Sequence, residues 1–368
     1  MSDLKYRVAF NRIPRIGRVR FTLLEKHFGT LDKAWTASPS ELKAAGLDDS
    51  TVQAIASSRP SIDPETEMDR LQQADARALD WHSHEYPPLL KEIYDPPPLL
   101  YVKGSLLPQD QRAVAVVGTR RSTAYGREAC SRLTSDLARA GVTVISGLAL
   151  GIDAVAHSAA LEAGGRTIAV MATGLDIIYP AQHRGLAQDV ARTGALVTEH
   201  PLGTRPNAQT FPRRNRIISG MALGVLVPEA PVDSGAMWTV RHALEQGRDV
   251  FAVPGSIFSP VSSGTNRLIQ DGAKLVLTVR DILEELNLAT AVMAQPPAQL
   301  PLTTSGGDET RILTLLGTEP IHIDDLQHQT GMPIANISSL LAIMEINGLI
   351  RQTPGMHFIR AGAAASGL

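Results

Sequence analysis

From Ala113 to Thr278, short apolar runs alternate with segments of helical periodicity, and this alternation constrains the fold more than any other feature of the chain. The runs are AVAVVG, VTVISG, TIAVMATG, ALVTEH, ALGVLVPEA, DVFAVPG and AKLVLT. Between them lie predicted helices from Gly126 to Ala140, through His157 and Leu161, near Leu186, from Arg216 to Ser219, through Trp238 and Leu244, and around Leu268. A continuous apolar run ending in Gly reads as a strand covered on both faces. Repeated strand–helix units of this kind predict an α/β fold, a Rossmann-like, doubly wound and mostly parallel sheet.

A chain of 368 residues is too long for one ordinary core, which leaves room for flanking domains. Residues 1–75 read as an all-α domain, SAM-like or helix-hairpin-helix-like. Leu23, Leu24, Phe28 and Leu31 mark one apolar face, and Leu42, Leu47, Val52 and Ile55 another. PRIGRVR and AAGLDDSTV fit hairpin turns whose amides approach a phosphate, and fit Gly-capped helices of a plain bundle equally well. Residues 76–287 form the Rossmann-like domain, entered through an irregular connector marked by Pro87, Pro88, Pro96, Pro97 and Pro98. Residues 288–307 lack periodicity and read as a flexible linker. Residues 308–360 give three helices and a hairpin, the order of a winged helix.

In an open parallel sheet, ligands sit beyond the carboxyl ends of the strands. The first such loop, GTRRSTAYG, is not G-x-G-x-x-G, and the second strand ends in Ser146-Gly147 where a dinucleotide binder places an acid, so NAD and FAD are disfavoured. No P-loop, H-E-x-x-H or G-x-S-x-G segment is present. The single cysteine, Cys130, excludes a disulfide framework and a cysteine-based zinc site and fits a reducing cytoplasm. No apolar run reaches membrane-spanning length, and the charged N-terminal stretch does not fit an export signal. No cofactor or metal is expected.

The loops that remain suit anions. Gly118, Ser146, Gly147, Gly151, Ser234 and Gly235 lie at strand ends leading into helices, where exposed amides favour phosphate, although Gly there also serves tight turns. The loop from Arg205 to Arg216 adds Arg205, Phe211, Arg213, Arg214, Asn215 and Arg216, with no acid between Glu199 and Glu229. Clustered Arg neutralises phosphates, and Phe offers a stacking face to any base. Arg120 and Arg121 of the first loop are expected to join this patch. One or two of these arginines are expected instead to fasten the loop to Glu199 or Glu229. Asp153 and His157, four apart on a helix, read better as a helix-terminal carboxylate and a packing histidine than as an acid–base pair.

VVGTRRSTAYG, SGLALGIDAVAH, TIAVMATGLDIIYP, FPRRNRIISG, VLVPEAPVDSGA, and VFAVPG followed by SGTNRLIQDGA resemble, in order and spacing, the DNA-processing protein A (DprA, or Smf) family over roughly residues 85–285. The resemblance implies a non-enzymatic single-stranded-DNA-binding protein of natural transformation that protects incoming strands, loads RecA recombinase and dimerises through its Rossmann-like domain. It maps an anion pocket onto Arg120, Ser146, Gly147, Phe211, Arg213, Asn215 and Arg216, with Arg214 at a variable position. The chain departs from the family's S-G-S-L-x-T-A with SGAMWTV, where Met237 and Trp238 are bulkier. The presumed recognition helix of the winged domain contains no Lys or Arg, so protein binding or intramolecular packing is expected of it rather than groove reading. A second reading is a nucleotide phosphoribohydrolase of the lysine-decarboxylase-like group. That group's P-G-G-x-G-T-x-x-E is here APVDSGAMWTVRHALE, leaving Glu199 and Glu229 as conceivable acids.

Overall fold

The computed structural model describes residues 2–288, 307–317, 319–346, 349–353 and 355–360. Chain contacts divide the protein into two units, 1–294 and 295–368. The expected linker, 288–307, lies outside the described residues except at its two ends.

The first unit opens with six helices: α1 (Ser2–Asn11), α2 (Arg18–Phe28), α3 (Leu31–Thr36), α4 (Pro39–Ala44), α5 (Asp49–Ser58) and α6 (Pro64–Gln73). Ser38, Asp48 and Asp63 cap α4, α5 and α6 by accepting from backbone N–H groups three residues on. Phe10, Phe21, Leu24, Leu31, Trp35, Leu42 and Ile55 build a core of their own, with Phe10 edge-on to Trp35 at 4.9 Å. The apolar faces read from the sequence supply most of it; Leu23 and Phe28 pack at its margin. Hydrogen bonds tie these helices to the sheet domain: Tyr101 donates to Asn11 at 2.9 Å, and Arg12 to the Leu202 carbonyl at 3.2 Å.

The sheet has nine strands. β1 (Arg77–Asp80) and β2 (Leu99–Gly104), separated by α7 (Pro88–Lys91), come first. They flank the proline-marked connector and are not among the expected strands; they pair antiparallel with each other, and β2 pairs antiparallel with β6. The alternating part gives β3 (Ala113–Val116), α8 (Ala124–Arg139), β4 (Thr143–Ser146), α9 (Ile152–Glu162), β5 (Thr167–Val170), α10 (Arg184–Thr193) and β6 (Ala195–Thr198). It continues with α11 (Thr210–Gly220), β7 (Gly224–Val227), α12 (Ala236–Glu245), β8 (Asp249–Ala252), α13 (Ser263–Gln270), β9 (Lys274–Leu275) and α14 (Val279–Glu285). The seven expected strands, β3 to β9, run parallel in the order β6-β5-β4-β3-β7-β8-β9.

Both faces of the sheet are covered, which is why its strands read as unbroken apolar runs. Ala113 and Ala115 of β3 join the α11 and α12 side, with Ile217, Ile218, Val240 and Ala243. Val114 and Val116 join the α8 and α9 side, with Leu133, Leu137, Ala156 and Ala160. From β3 the chain winds outward through β4 and β5 to β6, then returns to place β7 on the other flank of β3. That reversal opens a crevice above the carboxyl ends of β3 and β7.

The second unit holds α15 (Gly307–Leu315), β10 (Ile321–His322), α16 (Ile323–Thr330), α17 (Ile334–Ile346), β11 (Ile350–Thr353) and β12 (His357–Arg360). Its strands pair in the order β10-β12-β11, forming a winged helix as expected. Leu341 and Met344 of α17 are buried in its core beside Ile312, Leu326 and Phe358, and Leu340 packs against them. The Ile343 side chain lies outside the described residues.

Candidate nucleic-acid interface

The crevice is a cleft of about 730 Å³. Arg120 and Arg121 enter it from the loop after β3, and Tyr179 from the loop after β5. Phe211, Arg214 and Asn215 line it from α11, and Ser234, Gly235 and Trp238 from the start of α12. Phe211 is half-buried at the centre of an aromatic and cationic cluster. The Arg120 guanidinium carbon lies 5.5 Å from its ring centroid, and the Tyr179 ring 5.6 Å away at 56°.

The arginines fall into two classes. Arg120, Arg121, Arg205 and Arg213 are exposed and form no ion pair among the described residues. Arg214 and Arg216 are buried and committed internally. Arg216 makes a two-pronged pair with Glu199, at 2.7 and 3.1 Å, and reaches Asp95 at 3.2 Å. Burial alone would depress its pKa, but Glu199 and Asp95 outweigh burial and raise it. Arg214 donates to the carbonyl oxygens of Gly147, at 2.7 Å, and Val170. Burial pushes Arg214 down to about 10, against the charge of Asp153.

Ser146 and Gly147 do not face the cleft, contrary to the expectation that they grip phosphate. The Ser146 hydroxyl donates to the Val116 carbonyl at 2.6 Å inside the sheet. The amides of Gly147 and Ala149 donate to the Asp153 carboxylate at 3.1 and 3.3 Å, so the protein's own anion fills that nest. Gly147 is required by packing: a Cβ there would stand 2.5 Å from the Arg214 guanidinium and 2.7 Å from Asp153. Glu229 plays the matching part at α8, accepting from the Thr123 amide at 2.8 Å and hydroxyl at 2.6 Å. The helix start left open to the cleft is that of α12, where a Cβ on Gly235 would meet nothing within 4 Å. Asn215 joins α11 to this turn by donating to the Gly235 carbonyl at 3.4 Å.

The cleft therefore brings together Arg120, Arg121, Phe211, Arg214 and Asn215, and it leaves Ser146, Gly147, Arg213 and Arg216 out of its lining. Arg213 is exposed on α11, whereas Arg216 stands behind the wall and holds it. Asp153 and His157 take the structural roles expected of them. His157 bonds Thr167 at 2.7 Å, and burial lowers its pKa to about 3. Asp153 is pushed upward by burial, against the pull of Arg214 and the loop amides. Asp176 accepts from the Gly203 amide at 2.9 Å and shapes a loop. Tyr179 and Trp238 were not assigned to stacking from the sequence. The signal available was an aromatic residue at a strand's carboxyl end and another on a first helical turn, neither needed by the core periodicity. Glu199 and Glu229, the acids a hydrolase would use, are both occupied.

A sequence profile described as DNA recombination-mediator protein A matches residues 77–287, and one described as DprA winged helix domain matches residues 294–356. Protein Smf of Synechocystis is 34% identical over 394 residues, covering 98% of this chain and 99% of that one. The DNA processing protein DprA of Bacillus subtilis is 48% identical over 205 residues, covering 55% of this chain and 69% of its own. The solved structure of DprA from Streptococcus pneumoniae superposes with a TM-score of 0.67 at 33% identity, over 76% of this chain and 97% of that one. DprA from Helicobacter pylori, solved to describe its single-stranded DNA binding mode, superposes with a TM-score of 0.52 at 30% identity, over 58% and 95%. The aligned stretch contains the whole parallel sheet and the cleft above it, and on that ground the chain belongs to the DNA recombination-mediator protein A family, also called DprA or Smf.

Proposed function

We propose that the cleft binds single-stranded DNA, and that the protein is a cytoplasmic factor of natural transformation that protects incoming strands and loads RecA recombinase onto them without catalysing a reaction. The observation that carries this reading is Phe211, half-exposed between the Arg120 guanidinium and the Tyr179 ring and flanked by arginines with no internal partner. A base stacks on the aromatic face, which tolerates any sequence, while Arg120, Arg121 and the outlying Arg205 and Arg213 neutralise phosphates. Asn215 and the Gly235 amide at the start of α12 orient the strand between them. Among the described residues no helix is long and apolar enough to cross a membrane.

Phe211→Ala is expected to weaken binding of a fluorescent oligonucleotide by roughly 5- to 150-fold, the range that about 1–3 kcal/mol per stacked base gives, and Arg120→Ala to weaken it and flatten its salt dependence. Wild-type affinity in both variants would move the site out of this cleft.

We propose further that the protein dimerises through its Rossmann-like domain; this part and RecA loading rest on family membership. The dimer is also supported by the sheet's open edge at β9, where Leu275, Leu277 and the nearby Leu244 are exposed. Sedimentation equilibrium checks the dimer, and a monomer at micromolar concentration would remove that part. The lag of RecA assembly on a protein-coated strand checks the loading, and an unchanged lag would remove it.

A further inference from the structure

Of the chain's three tryptophans, Trp35 is buried in the helical core and Trp81 is half-buried under the Arg7 guanidinium. Trp238 is different: 49% of it is exposed, on the first turn of α12, and it lines the same cleft as Phe211. Its ring does not serve the core. The buried face of α12 is made by Ala236, Thr239, Val240 and Ala243, and Trp238 is not part of it. Arg241, one turn on, holds its guanidinium carbon 5.9 Å from the indole centroid and forms an exposed ion pair with Glu245 at 3.2 Å, which a phosphate would have to displace or share. The contact of Arg241 with Trp238 repeats on α12 the pairing of Arg120 with Phe211 at α11.

The two helices pack side by side on one face of the sheet, so their first turns present two aromatic platforms to one cleft. Asn215 bridges the turns at Gly235. Exposed aromatic area next to a cation is the combination that holds a nucleobase, because the ring supplies dispersion and the guanidinium holds the adjoining phosphate.

We propose that Trp238, with Arg241 beside it, is a second base-stacking platform, so that the cleft engages at least two consecutive bases of one strand, one at Phe211 and one at Trp238. This deepens the single-stranded-DNA reading and rests on it. A ligand with one base fills half of the site, and a dinucleotide is the smallest ligand that fills both platforms.

The test combines tryptophan emission with anisotropy, using thymidine oligonucleotides and thymidine monophosphate on the full chain. Wild-type emission is expected to fall as oligonucleotide binds, and the fall should disappear in Trp238→Phe, whose affinity stays near wild type because an aromatic ring remains. Trp238→Ala is expected to lose roughly 5- to 150-fold in oligonucleotide affinity. It should also lose the advantage of dinucleotide over monophosphate, with its melting temperature unchanged because the ring is half-exposed. If the wild type binds the oligonucleotide while its emission stays constant, or if Trp238→Ala binds as tightly as the wild type, the second platform is wrong and the cleft reading survives. Emission that responds to protein dilution and not to the strand would place Trp238 in a protein contact and overturn the proposal. A wild type that binds no oligonucleotide overturns both readings together.

Discussion

Arg214 and Arg216 lie two positions apart on α11, and each buries a guanidinium group whose removal from water is costly. What offsets the cost differs. Arg216 meets two carboxylates, whereas Arg214 meets two carbonyl oxygens and the nearby charge of Asp153. Breaking one side of a buried pair typically costs about 3–5 kcal/mol, because the remaining charge stays desolvated. Arg216→Ala is therefore expected to lower unfolding free energy by roughly that amount in a urea titration, with part recovered when Glu199→Gln is added. A variant that loses DNA binding at full stability would contradict this and return Arg216 to the binding surface. The sequence shows a row of arginines without an intervening acid, but it cannot separate free from fastened ones. Glu199 is 17 positions from Arg216 and Asp95 is 121, and only the fold brings them together.

The strand–helix alternation is legible as elements because each parallel strand is apolar throughout, while each helix carries one apolar stripe. β1 and β2 are not, because they are short and antiparallel, and β2 directly follows Pro96, Pro97 and Pro98, which locally indicate loop. Within α9, His157 fastens the helix to β5 through Thr167, and its Nε2 has no hydrogen-bond partner among the described residues. The histidine is held neutral, with a pKa near 3 in the fold against an ordinary 6.5. Proton linkage sets the direction of the effect on stability. As pH falls below about 6.5, the unfolded chain takes up a proton that the folded chain refuses, so stability declines until pH approaches 3. Urea unfolding at pH 7 and pH 5 should show a larger loss for wild type than for His157→Gln, which lacks the titrating group. Equal losses would mean that His157 is protonated in the fold.

At the scale of the whole molecule, a formal charge of −2 gives no hint of nucleic-acid binding. Charge distribution reverses that impression. Residues 1–60 carry ten basic and six acidic side chains, and 308–360 carry three and six. Between these ends the unpaired arginines gather at one end of the sheet, at the switch in strand order where an open α/β fold places its ligands. The place of the candidate cleft is legible from strand-end loops, because topology dictates where an open α/β sheet leaves a crevice. The cleft's detailed chemistry is not: the loop after β4 looks like a phosphate nest in sequence, yet Asp153 from α9 occupies it. Likewise α17 contains no Lys or Arg and spends Leu341 and Met344 on its own core, which argues against groove reading by the winged helix.

The most direct measurement is a fluorescence-anisotropy titration of a single-stranded oligonucleotide at several salt concentrations, beside its duplex and a nucleoside monophosphate. Two to four of the exposed arginines on phosphates predict that log affinity falls with log salt at a slope between about −1.4 and −2.8. Weaker duplex binding and an intact monophosphate are also expected. Absence of strand binding, or release of base from the monophosphate, would contradict the account and make the cleft a small-molecule active site.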